Sequence, residues 1–148
     1  MTPPRVWLHL TNVAAKKRDQ SAQNLRAALS RRVEAQRKLD ALLGYRQDYL
    51  AKLDAATRRG IGADGLRNYR AFLANLDRAI EQQTALMATM QSDVGFAQTD
   101  WQHTQHRVDS LQTIDQLRTE LGEQREARRD QKLTDEYALR RSRGGGDD

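Results

Sequence analysis

Every seventh residue from Leu66 to Val108 is apolar: Leu66, Leu73, Ile80, Met87, Val94, Trp101 and Val108. Tyr69, Leu76, Gln83, Met90, Ala97, Thr104 and Leu111 form a second track, offset by three. Two such tracks make the seam of a coiled coil, where each helix buries one narrow stripe against a partner. A strict seven-residue period also winds the pair into a left-handed supercoil, because it falls short of two full turns of a straight helix. Beyond Leu111 the apolar residues change phase to Ile114, Leu117 and Leu121, so the seam is expected to shift there.

The partner stripe lies upstream. The stretch Arg59-Gly60-Ile61-Gly62-Ala63-Asp64-Gly65 holds three of the nine glycines, while both prolines stand at positions 3 and 4. Glycine weakens a helix interior, so three within six residues mark a break rather than one continuous helix in an intermolecular dimer. Proline is tolerated in a first helical turn, and Thr2-Pro3-Pro4 reads as a helix entry. Between them one track runs Leu8, Ala15, Ala22, Leu29, Gln36, Leu43, Leu50 and Thr57. Its companion runs Thr11, Arg18, Leu25, Arg32, Leu39, Arg46 and Leu53, with Val33, Leu42 and Tyr49 flanking. Gly44 is a weak point, costing about 1 kcal/mol against alanine.

The expected fold is therefore all-α: a long antiparallel two-helix coiled-coil hairpin. It forms a single domain over residues 1–143, with helix 1 at about 4–59, a turn at 60–65 and helix 2 at about 66–141. Residues 144–148 read as a disordered tail. Folding about residue 62 brings Leu50 near Leu73, Leu43 near Ile80, Leu29 near Val94, Ala22 near Trp101 and Ala15 near Val108. Small residues then meet large ones at the open end. The shared length is roughly 75–80 Å at the rise of an α-helix. Leu8 falls opposite about residue 116, so helix 2 overhangs helix 1. The seam is gone from Gly122 to Arg143, where Leu133, Tyr137 and Leu139 are isolated apolar points among charges.

Composition agrees with a thin seam rather than a thick core. Of 148 residues, 38% are hydrophobic, 5% aromatic and 30% charged, and mean hydropathy is −0.87. No cysteine is present, which excludes disulfides, thiolate metal sites and a cysteine nucleophile. No run of about 18 apolar residues exists to span a membrane. The first ten residues lack the apolar region and cleavage site of a secretory signal, so the default is a cytosolic protein. Net charge is +5 and pI about 9.9. That balance suits nucleic acid, acidic lipid or an acidic protein, although interleaved acidic residues disfavour nucleic acid.

Catalytic signatures are absent: there is no phosphate loop, no GxSxG and no HExxH. His103 and His106 lie three apart near Asp100, with His9 within loose reach. A metal would need further ligands, and solvent-facing histidines are the simpler reading. The chain is expected to be no enzyme and to hold no cofactor or metal. Lys16-Lys17-Arg18 and Arg31-Arg32 are either a solvated face or a contact for an acidic partner. No aromatic residues interleave with them, so a stacking platform for single strands is unsupported. Phe72, Leu76, Ala79 and Gln83 form a stripe along the edge of the seam. It is either peripheral packing or a docking surface.

The residues resemble the FliJ family, the small coiled-coil component of the flagellar type III export apparatus. Leu43 with Tyr45-Arg46-Gln47-Asp48-Tyr49, the glycine turn, and Leu66-Arg67-Asn68-Tyr69-Arg70-Ala71-Phe72-Leu73 carry the likeness. Leu76, Ala79-Ile80 and Gln82-Gln83 continue it, and Arg129-Asp130-Gln131-Lys132 with Asp135-Glu136 match the family's terminal pattern. The resemblance implies an antiparallel coiled coil similar to the central stalk of rotary ATPases. It implies a non-enzymatic stalk that binds and stimulates the hexameric export ATPase and links it to the cytoplasmic domain of the membrane export gate. It also implies contact with the ATPase regulator and the escort of export chaperones, with no nucleic acid expected. The location implied is cytoplasmic, peripheral to the inner membrane at the flagellar base. By position, the gate contact falls on Phe72, Leu76, Ala79 and Gln83. The ATPase contact falls on both terminal segments, with Arg18, Arg125, Arg128, Arg129 and Lys132 nominated. The equivalent stalk of a virulence type III system, a coiled-coil nucleic-acid binder and a generic scaffold are the alternatives.

Overall fold

The computed structural model describes residues 4–145 as two helices, α1 (Arg5–Arg59) and α2 (Ala63–Gly144), with no strand among them. They pack against each other as an all-α helical hairpin. Gly60, Ile61 and Gly62 alone make the turn. Gly60 has φ +87°, a left-handed conformation that glycine adopts without a Cβ penalty. Its N–H donates to the Thr57 carbonyl at 3.2 Å and so ends α1. The Leu66 N–H then donates to the Gly62 carbonyl at 3.0 Å. That bond carries helical geometry through Ala63, Asp64 and Gly65, so the turn is shorter than the expected 60–65 and helix 2 starts before Leu66. Gly65 serves packing instead of turning: a Cβ there would stand 2.8 Å from Cγ1 of Ile61.

At the other terminus α2 runs past the expected end at residue 141, through Arg141 and Arg143 in its last turn. Cations there oppose the negative end of the helix dipole. Gly144 is thus the last helical residue and Gly145 a turn, while the rest of the expected tail, 146–148, lies outside the described residues. None of the described helices is long and apolar enough to cross a membrane. By contacts the chain divides into a turn unit, Asp19–His103, and a terminal unit, Met1–Arg18 with Thr104–Asp148.

Within the turn unit, α2 presents the two tracks its heptads define, and Leu76 and Val94 are its most buried residues. On α1 the companion track Leu25, Arg32, Leu39, Arg46, Leu53 is half-buried. The other track is shifted by one residue from the expected Ala22, Leu29, Gln36, Leu43, Leu50, Thr57. It runs Ser21, Ala28, Ala35, Leu42, Tyr49, Ala56, with Ser21, Ala28 and Ala35 at most 4% exposed. Leu43 and Leu50 are left 42% and 38% exposed. Both tracks satisfy a seven-residue period, so periodicity alone does not choose between them. Packing against Met87, Val94 and Trp101 favours the smaller set, whose short side chains let the helices approach closely.

Polar contacts pin the register. Ser21 Oγ donates to Asp100 Oδ2 at 2.9 Å and Arg32 Nη1 to Gln91 Oε1 at 3.4 Å. Gln83 Nε2 donates to the Ala35 carbonyl at 2.8 Å, and Arg46 Nε pairs with Asp77 Oδ1 at 2.7 Å. These pairs agree with folding about residue 62.

In the terminal unit the core is Ala14, Val108 and Leu111, with Trp7 packed against it. Here too the α1 track is Trp7 and Ala14, not Leu8 and Ala15. The Arg118 guanidinium stands 5.3 Å above the Trp7 ring, a cation–π contact at the edge of the seam. Past that point α1 has ended. The seam does not shift phase as expected: Asp115, seven residues after Val108, stays half-buried, while Ile114 and Leu117 flank the seam and Leu121 lies past the start of α1, leaving them 45%, 54% and 53% exposed. Every residue from 123 to 145 is exposed, so α2 overhangs α1 as a single helix.

Candidate protein-binding surfaces

The stripe at the edge of the turn unit divides when its residues are placed. Leu76 is 8% exposed and belongs to the core. Gln83 is half-buried and its amide is committed to the Ala35 carbonyl. Ala79 is half-buried beside them. Phe72, 45% exposed, is the one member with a large accessible face. Its ring is held from below by Tyr49, with centroids 4.1 Å apart, and Tyr49 also meets Tyr69 at 5.0 Å. Contacts of that kind fix a ring while leaving one face to solvent. Tyr49, expected to flank the seam, is half-buried within it. Its seven-residue step from Leu42, itself seven from Ala35, is the signal that places it inside.

A shallow hollow of about 490 Å³ lies at the turn, lined by Lys52, Ala55, Ala56, Arg59, Ile61 and Tyr69 among others. It is open to solvent and holds no cluster of catalytic side chains. His103 and His106 are exposed. Asp100 is engaged with Ser21. No group of three or more His, Cys, Asp or Glu side chains among the described residues is arranged to hold a metal.

The five nominated cations of the terminal unit do not form one cluster. Arg18 is half-buried on α1 and lines a groove of about 270 Å³ with Thr11, Ala15, Val108 and Leu111. Arg125, Arg128, Arg129 and Lys132 are exposed on the overhang. Arg125, Arg129 and Lys132 follow i, i+4, i+7 and share one face, with Arg128 beside it. The first helix cannot contribute there because it begins at Arg5, near the level of Arg118. Arg32 is likewise a seam residue bonded to Gln91, whereas Lys16, Lys17 and Arg31 are exposed.

Comparison with known proteins gives a consistent result. A family model described as flagellar FliJ protein matches residues 8–146. A flagellar FliJ protein from Salmonella typhi is 29% identical over 131 residues, covering 88% of this chain and 89% of that protein. A flagellar FliJ protein from Escherichia coli (strain K12) is 28% identical over 107 residues, covering 72% and 73% respectively.

Proposed function

We infer the function from one premise: this chain belongs to the FliJ family of flagellar proteins. Membership carries a role related to flagellar export. The finer reading is a non-enzymatic stalk of the type III export apparatus. It binds and stimulates the hexameric export ATPase, links it to the cytoplasmic domain of the membrane export gate, and contacts the ATPase regulator and export chaperones. Its place is in the cytoplasm, at the inner membrane beneath the flagellum.

One observation carries this reading. Over residues 123–144, α2 continues as a single exposed helix after its partner has ended. An isolated helix of that length gains nothing from intramolecular packing, and helical stability in proteins comes mainly from an apolar face covered by a partner. Its exposed cations and carboxylates support contact with a polar-lined cavity in another protein. Contacts that differ between two states of an ATPase ring would shift its conformational equilibrium and so its turnover. In the turn unit, Phe72 with the Ala79 edge supports the gate contact. Leu76 and Gln83 serve it by holding the helix in register.

The test is truncation after Gly122. The shortened chain keeps the seam through Leu111, so it should remain folded by circular dichroism while losing stimulation of the purified export ATPase. Unchanged stimulation would refute the stalk reading.

A further inference from the structure

We propose that the terminal unit carries a docking face for a partner helix with an apolar stripe flanked by acidic residues. The face follows from the heptad geometry. With Trp7, Thr11 and Ala14 in the α1 seam and Val108 and Leu111 in the α2 seam, Leu10 and Ile114 are flanking residues on the same side of the coil. Val6 lies next to Leu10, one position further out, and Leu117 and Leu121 continue the side along α2. All five are accessible: Val6 72%, Leu10 40%, Ile114 45%, Leu117 54% and Leu121 53%.

Five large apolar side chains on one side of a two-helix coil are a contiguous patch, not scattered surface leucines. They present an i, i+3, i+7 row on α2 beside a second row on α1. A third helix laid between the two rows would bury both, as in helix-in-groove recognition.

Charge selects the occupant. On the same side, Lys17 and Arg107 occupy the next flanking positions toward the turn, and Arg128 the next along the overhang. All three are exposed. Glu120 borders the outer edge as an isolated carboxylate. The patch is therefore bracketed by cations at both ends. A helix carrying Asp or Glu beside its apolar stripe gains from that field, and one carrying Lys or Arg is repelled. The proposal goes beyond the ATPase reading, because it concerns apolar side chains and a helical partner, and its test contains no ATPase.

The probe is a fluorescein-labelled synthetic helix of about three heptads, with leucine at the seam positions and glutamate at the flanking ones. A second peptide replaces every glutamate by lysine. Fluorescence anisotropy with the full chain should show saturable binding of the acidic peptide and binding of the lysine peptide weaker by about ten-fold or more. Leu117→Glu with Leu121→Glu should abolish binding, and since both side chains are exposed the helical signal should persist. Lys17→Glu with Arg107→Glu, at exposed polar positions, should reduce the preference for the acidic peptide. No saturable binding, equal binding of the two peptides, or binding indifferent to the leucine substitutions would overturn the proposal. So would sedimentation showing a dimer of this chain that the leucine substitutions convert to monomer, since a second copy would then be the occupant.

Discussion

Phe72 and Leu76 stand four residues apart on α2, yet replacing each by alanine should give opposite results. Leu76 is 8% exposed. Truncating a buried leucine costs about 2–5 kcal/mol, and a two-helix seam closes partly over the void, which places Leu76→Ala at about 2–3 kcal/mol. For a chain of this size each kcal/mol lowers the melting midpoint by about 2–4 °C, so a fall of about 5–10 °C is expected. Phe72 is 45% exposed and loses about half of its burial term, about 1 kcal/mol. Loss of the Tyr49 ring, 4.1 Å away, adds about 0.5–1 kcal/mol. Phe72→Ala, at about 1.5–2 kcal/mol in total, should thus lower the midpoint by about two-thirds as much. Binding to the purified cytoplasmic domain of the gate should reverse the order. Measured at a temperature where both variants are folded, Phe72→Ala should weaken it strongly and Leu76→Ala little. Circular dichroism melts and a pull-down or calorimetric titration give the two readouts. A loss below about 1 kcal/mol for Leu76→Ala would refute the placement of Leu76 in the seam. Gate binding that follows stability rather than Phe72 would refute the docking role.

Three further outcomes follow from the seam and the turn. Ala28→Leu should destabilise by about 1–3 kcal/mol through overpacking, whereas Leu43→Ala, at an exposed flank, should cost less than about 1 kcal/mol; urea titration distinguishes them. Gly60→Ala should cost about 1–2 kcal/mol because of its left-handed φ, while Gly62→Ala, with open space and ordinary backbone, should be near neutral in the same assay. Arg46→Ala should change stability by no more than about 1 kcal/mol, since its pairing with Asp77 at 2.7 Å is 40–49% exposed, and the difference should shrink further at high salt.

Much of this architecture is legible without coordinates. The α2 tracks from Leu66 to Leu111 coincide with its buried face because seven-residue spacing and side-chain size point the same way there. The α1 track does not coincide, because α1 carries apolar residues on both sides of Thr11, Leu25 and Leu39. Leu29 outweighs Ala28 in hydrophobicity, but closeness of approach selects the small Ala28 and Ala35, and the register they set turns Leu42 and Tyr49 inward in place of Leu43 and Leu50. The expected change of phase beyond Leu111 fails for a related reason: Ile114, Leu117 and Leu121 are apolar at helical spacing, but Asp115 and Gly122 keep the seven-residue step from Val108 and are the half-buried positions. Among the surface residues, Phe72 was separable from Leu76 only by position relative to the seam, which periodicity assigns. The commitment of Gln83 to the Ala35 carbonyl has no signature in spacing, because a seam glutamine reads simply as a polar interruption.

The three-residue turn also sets an order of assembly. Cross-helix contacts close loops that lengthen steadily away from Gly60: the Arg46–Asp77 pair spans 31 residues, Ala35–Gln83 spans 48 and Ser21–Asp100 spans 79. The entropic cost of closure rises with span, so the Tyr49–Tyr69–Phe72 cluster nearest the turn should form first and the remaining layers should zip outward. Each new layer then adds only a few residues to an already closed loop. The Ala14–Val108–Leu111 core is the last to close and the first exposed to fraying. During synthesis all of α1 must wait, unpartnered, until the ribosome has released the residues beyond Leu66, and its exposed apolar tracks are in that interval available to any helix-binding chaperone.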